Sequence, residues 1–112
     1  MTEKNISCPV CGRYIFDEAD DFDICDNCGW ENDGVQQRDH NYAGGANELS
    51  VNEARIEYFL LNHAKKAEDA KRIRSNYLKF CKQCRSLDEK KAAREKYMDM
   101  MNELLNGIRL NR

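Results

Sequence analysis

Six cysteines stand in three Cys-x-x-Cys pairs, Cys8/Cys11, Cys25/Cys28 and Cys81/Cys84, and they are the side chains of this sequence best suited to chemistry. The first two pairs lie in near-repeats, CPVCG and CDNCG, with thirteen residues between Cys11 and Cys25. In a C-x2-C-G turn the backbone amides can point back at the sulfurs while the glycine takes the positive φ that completes the loop. Two such turns can supply four thiolates tetrahedrally to zinc at about 2.3 Å each. That site is full. With no position for water or substrate, Cys8, Cys11, Cys25 and Cys28 are expected to hold a structural Zn2+ rather than a Lewis acid. A rubredoxin-type iron uses the same ligand set, and two redox dithiols are the metal-free alternative.

Cys81 and Cys84 fall on the apolar stripe of a helix, where residues three apart are neighbours. Buried thiols acting as small hydrophobes are the first reading. A symmetric homodimer through the helices could instead gather two such pairs into an intersubunit metal site or disulfide. Thioredoxin-type redox use fits less well, because those pairs sit at a helix start and these sit near a helix end.

The elements that must position these residues are legible from patterning. RYIF and FDIC, two β-type runs either side of DEADD, suggest a hairpin between the first two thiol pairs. A polar loop follows Trp30 and ends in GGANELS. Ser50 and Glu53 then form a capping box that opens a helix. Apolar positions recur at heptad spacing from Ile56 through Phe59, Leu60, His63, Ala67, Ala70, Ile73, Tyr77 and Phe80 to Leu87. The spacing predicts one helix over about 51–85, or two collinear ones with a weak point at 62–69. A second capping box, Ser86 with Glu89, opens a helix over about 87–106 that should stop near Gly107. His63 reads as a packed or interface residue. The expected fold is α+β, a small zinc ribbon with a Gly-rich wrapping loop over 1–50 and an antiparallel helical hairpin over 51–112.

Composition narrows the rest. At 112 residues and 41% hydrophobic content a large core is not expected, so a metal would matter to stability. The opening MTEKNIS has no secretory apolar run and no stretch reaches membrane-spanning length, which points to a cytoplasmic protein without membrane contact. Clustered cysteines in a reducing compartment favour metal over structural disulfides. Residues 1–53 hold 12 acidic and 3 basic side chains, whereas 54–112 hold 8 and 15. The acidic half, with a tetrathiolate zinc of formal charge −2, is a poor surface for phosphate.

CPVCG, DICDNCGWENDGVQ, GGANELS and VNEARIEYF together resemble the cysteine-rich CPCC family of small bacterial proteins, over about residues 8–60. The resemblance implies metal ligation by Cys8, Cys11, Cys25 and Cys28. It implies an accompanying motif of Trp30, Glu31, Asp33, Gly34, Gly44, Gly45, Asn47, Ser50, Glu53, Ala54 and Arg55. Val10 stands where the family has a further cysteine, and Asn32 where it has an acidic residue. The family lends a fold and a metal, not an activity.

Three functions remain to be weighed. Glu31, Asp33, Asp39 and His40 could form the acid/base cluster of a small metal-dependent hydrolase, or simply a polar loop wrapping the ribbon. GGAN ahead of a helix could cradle an anion, but it lacks the Lys-Ser/Thr of a nucleotide loop, and a tight turn explains it better. The basic runs Lys65-Lys66, Lys71-Arg72-Arg74 and Lys90-Lys91 leave nucleic-acid binding open. The reading favoured by the residues is a non-enzymatic zinc protein whose helical hairpin is a protein–protein interaction surface, serving as regulator, adaptor or immunity-type inhibitor.

Overall fold

A computed structural model describes residues 4–110, with Arg109 and Leu110 described by their backbone alone. The fold is α+β, a two-stranded antiparallel hairpin followed by helices. The chain divides into two compact units, Met1–Tyr58 and Phe59–Arg112. No helix among the described residues is long and apolar enough to cross a membrane.

In the first unit, β1 (Lys4–Ser7) pairs antiparallel with β2 (Ile15–Glu18), Ile6 opposite Phe16. The first cysteine turn closes this hairpin, and the Cys8 amide extends the ladder to the Tyr14 carbonyl at 2.8 Å. The second turn closes its own short ribbon. There the Cys25 amide meets the Trp30 carbonyl at 2.8 Å, Ile24 bridges Glu31, and the Asn32 amide meets the Asp23 carbonyl at 2.9 Å. The expected hairpin between RYIF and FDIC is therefore corrected. A C-x2-C-G turn reverses the chain, so each pairs the segments on its own two sides. Positive φ at Asp20 (63°) and Phe22 (56°) also breaks up the DEADDF segment that such a hairpin would need. Phe16, fully buried, and Trp30, 4% exposed, supply the large apolar side chains of this unit.

A one-turn helix, α1 (Gly34–Arg38), lies inside what the sequence suggests is loop. The Ser50/Glu53 capping box opens α2 (Val51–Leu61) as expected: the Glu53 amide donates to Ser50 Oγ at 3.2 Å and the Ser50 amide to Glu53 Oε1 at 2.9 Å.

The stripe over 51–85 is two helices, not one, because the ladder is interrupted between Leu61 and the start of α3 (Ala67–Gln83). His63 is the cause. Its carbonyl accepts from the Lys66 and Ala67 amides at 3.2 and 2.9 Å, and its Nδ1 accepts from the Lys65 amide at 3.2 Å. The side chain thus holds the turn ahead of the Lys66 N-cap rather than continuing a helical stripe.

α4 (Leu87–Leu110) begins at the second capping box, where Ser86 Oγ accepts from the Glu89 amide at 3.1 Å. It runs past Gly107 instead of stopping near 106. Gly107 shows no positive φ, so it lies in the helix as an ordinary residue at a cost of about 1 kcal/mol against alanine. α3 and α4 form the antiparallel hairpin, with Ala70, Ile73, Tyr77, Ala93, Tyr97 and Met101 buried. Tyr77 and Tyr97 stack across the seam, centroids 4.3 Å apart and planes 4° from parallel. Phe80 and Leu87, also on the expected stripe, are 55% and 83% exposed.

Replacing Tyr97 by alanine removes a buried ring and its stacking partner, and should cost the hairpin about 3 kcal/mol. Thermal melting followed by helical circular dichroism measures this loss; a change under about 1 kcal/mol would show that the seam does not depend on the stack.

Candidate metal centre

The two cysteine turns are near copies in space as in sequence. In each, a glycine amide donates back to the first cysteine's carbonyl, Gly12 to Cys8 and Gly29 to Cys25, both at 2.9 Å. The turns need φ of 71° at Gly12 and 83° at Gly29. Open space surrounds both α-carbons, so backbone conformation rather than crowding requires glycine there. Tyr14 donates to Asp23 Oδ2 at 2.7 Å, linking the first ribbon to the second, and this bond to a carboxylate pushes the phenol up to about 12.

The turns bring Cys8, Cys11, Cys25 and Cys28 together with their sulfurs all within 4.8 Å of one another. Cys8 and Cys28 are 3.6 Å apart, Cys11 and Cys25 3.5 Å. Four thiolates about 2.3 Å from a central ion would be spaced by about 3.8 Å, so the donor set fits a tetrahedral metal. Backbone amides support the sulfurs: Arg13 donates to Cys11 Sγ at 3.5 Å, and Asn27 and Cys28 both donate to Cys25 Sγ at 3.4 Å. Cys8 and Cys25 are buried, Cys11 and Cys28 half-buried. Burial pushes the Cys8 and Cys28 thiols up. At Cys11 burial also raises the thiol, but bonds from the Asn27 side chain and the Arg13 amide outweigh it and bring the group down to about 7. Sulfurs this close cannot all ionise without a cation among them.

The resembling motif surrounds this cluster as a hydrogen-bonded clasp. Asp33 caps α1, its Oδ1 accepting from the Val35 and Gln36 amides at 2.9 and 3.4 Å, while Oδ2 accepts from the Ala46 amide at 2.9 Å. The Gly-rich loop therefore does cradle an anion, and that anion is the chain's own carboxylate. A side chain at Gly45 would press on Asp33 Oδ2 at 2.6 Å, and one at Gly34 would overlap the Asp20 carboxylate. Asp20 accepts from the Gly34 amide at 2.7 Å and pairs with Arg38 at 3.0 Å. Gly44 takes φ of 84° in the same loop. Asn47 bonds Glu31 twice, accepting from its amide at 2.9 Å and donating to its carbonyl at 2.8 Å. Ala54 is buried, and Arg55 Nε donates to the Pro9 carbonyl in the first turn at 2.6 Å. Asn27 in the second turn donates to the Tyr58 hydroxyl at 2.9 Å, so α2 is tied to both turns.

The most connected residue of the clasp is one that sequence reasoning passed over. Gln36, fully buried, directs Nε2 at the carbonyls of Tyr42, Asn47 and Leu49 at 3.0–3.1 Å, and its Oε1 accepts from the Asn47 amide and side chain at 3.1 and 2.9 Å. A polar residue in GVQQR carries no signal by itself, since its burial depends on a loop eleven residues away. In the sequence Asn32 stands out only as a departure from the family pattern. It is fully buried, and its amide donates to the Glu18 carbonyl and Asp21 Oδ1 at 2.8 and 2.7 Å, bonds a carboxylate could not make.

The other candidate sites are not assembled in the same way. Among the described residues, the four cysteines are the one group of three or more Cys, His or acidic side chains placed to share an ion. Asp33 is occupied by three amides. Asp39 ends α1 and accepts from the Asn41 amide at 3.0 Å, and the His40 carbonyl accepts from the Asn52 amide at 3.1 Å. Cys81 and Cys84 lie half-buried at the end of α3. Cys84 has already left the helix, with ψ 134°, and donates from Sγ to the Phe80 carbonyl at 3.5 Å. No disulfide is present among the described residues.

Comparison with known families finds a match to the model described as Cysteine-rich CPCC over residues 6–77, which extends past α2 into α3. No curated protein matches.

Because protons compete with metal for thiolates, a site of four cysteines should release its ion on acidification. The sulfur-to-cobalt absorption of a Co2+-loaded sample should fade as pH falls from about 7 to about 5. Persistence of the band to lower pH would contradict it. Gln36→Ala strands several buried carbonyls and should cost at least about 2 kcal/mol, with faster hydrogen exchange at the Asn47 amide; unchanged exchange would show that the clasp does not rest on Gln36.

Proposed function

Since the chain belongs to the cysteine-rich CPCC family and gathers the thiols of its two turns at one point, we propose that it is a non-catalytic zinc protein that binds another protein through its helical hairpin. The observation that carries this reading is the completeness of the donor set. Four thiolates use every position of a tetrahedral ion, so Zn2+ held by Cys8, Cys11, Cys25 and Cys28 would cross-link two turns without offering a place to substrate. The ion's contribution is then to folding. Two strands of four residues each make a sheet too small to hold itself together, and a cross-link at its turns supplies what the apolar core does not.

The clasp supports the same reading. The acidic residue most readily cast as a catalytic base, Asp33, has its carboxylate committed to three backbone amides, and Glu31 is held through its backbone by Asn47. These groups position chain segments. A cytoplasmic, reducing setting would keep the thiols available to metal. A regulator, an adaptor and an immunity-type inhibitor are all consistent with this arrangement.

Elemental analysis of protein purified from its own host should return one zinc per chain, and X-ray absorption should show four sulfur neighbours. Cross-linking in the host should recover a stoichiometric protein partner. A light-atom zinc neighbour, or a hydrolytic turnover abolished in an Asp39→Asn, His40→Ala double variant, would replace this proposal with an enzymatic one.

A further inference from the structure

Two helices lying side by side cover each other along one seam and leave a furrow beside it. In the α3/α4 unit that furrow has a floor of Ile73, Tyr77 and Phe80 from α3 and Ala93, Tyr97 and Met100 from α4, enclosing about 280 Å³. Both sets follow the same spacing, i, i+4, i+7, which is the spacing of knobs on a helix. Phe80 is 55% exposed and Met100 41%, so the apolar floor opens to solvent at these two side chains. Asn76 and Lys96 are the polar residues of its lining.

The two banks differ in charge. The segment from Lys71 to Arg85, most of α3 and the two residues after it, carries six cations and no carboxylate. Exposed Arg72 and Lys79 lie one turn either side of Asn76 and form the α3 bank. Arg72 is bridged to Asp69 at 3.4 Å, both partly in solvent, while Lys79, Lys82 and Arg85 have no ion pair among the described residues. The α4 bank is mixed. Lys96 is followed one turn on by Asp99 and then Glu103, both exposed.

We propose that this furrow receives an amphipathic helix of a partner protein, with apolar anchors at i, i+4 and i+7 and carboxylates along the edge that lies on α3. A helix has two edges that can differ in charge, as the two banks do. A nucleic-acid strand carries a phosphate at every nucleotide and draws its affinity from cations, whereas the floor of this furrow is apolar apart from Asn76 and Lys96 and its α4 bank adds Asp99 and Glu103. The proposal names the partner chemistry for the interaction surface put forward above and rests on that reading, though not on the identity of the metal.

The test uses the intact zinc-loaded chain and a fluorescent 21-residue helical peptide with leucines at the stated spacing, glutamates on one edge and glutamine elsewhere. Fluorescence anisotropy should show it binding at least tenfold tighter than the same peptide with lysine for glutamate. Phe80→Ser and Lys79→Glu, both exposed and so tolerable to the fold, should each weaken binding about tenfold, and Lys79→Glu should narrow the gap to the lysine peptide. Equal affinity for the two peptides overturns the proposal, as does indifference to Phe80→Ser. It is equally overturned if a dT20 oligonucleotide or anionic vesicles bind the intact chain more tightly than the glutamate peptide and lose that binding in Lys79→Glu. A host partner cross-linked only outside α3 and α4 would overturn this furrow while leaving the broader interaction reading intact.

Discussion

Mutual repulsion among four neighbouring sulfurs is the constraint from which the first unit is built. Neutral thiols can sit at 3.5–3.6 Å, but thiolates cannot without a positive ion between them. The amides that point at Cys11 and Cys25 stabilise negative charge on sulfur, and the acidic loops nearby do not. The geometry is thus prepared for a cation on its inside while remaining anionic outside. Both glycines and both flanking ribbons follow from bringing the sulfurs to one point.

Around that point the polar residues of the motif do structural work that an apolar core would do in a larger domain. Asp33, Gln36 and Asn47 each satisfy backbone groups from segments distant in sequence, so the wrapping loop is held by hydrogen bonds instead of by regular structure. The GGAN segment is tight because a carboxylate and an amide already occupy the space beside it. Arg55 and Tyr58 carry this order into α2 by gripping one turn each. Within WENDG, the Glu31 backbone and the Asp33 carboxylate fasten separate segments of the chain together.

What could be read without coordinates was whatever is local. The two knuckles, the capping boxes at Ser50 and Ser86 and the amphipathic phase of α3 and α4 depend on residues within one or two turns of each other, and all appear. Strand pairing is not legible in this way, because β-propensity marks extended segments but does not say which neighbour each will choose. The interruption at His63 lay in a segment of weak pattern, yet the imidazole's acceptance of a backbone proton has no signature in periodicity. α1 and Gln36 were invisible for a related reason: a single turn is too short for hydrophobic phase, and a buried glutamine is explained only by the carbonyls that a remote loop brings to it. Of the candidate sites, the four-cysteine cluster was legible because its ligands form two self-contained turns.

The placement of aromatic side chains has an optical consequence. The chain has a single tryptophan, and Trp30 is buried in the first unit beside the second cysteine turn, whereas the stacked tyrosine pair belongs to the α3/α4 hairpin. Indole emission consequently reports on the ribbon alone, and far-ultraviolet ellipticity is dominated by the helices. The first unit thus carries its own fluorescent reporter, with no label attached.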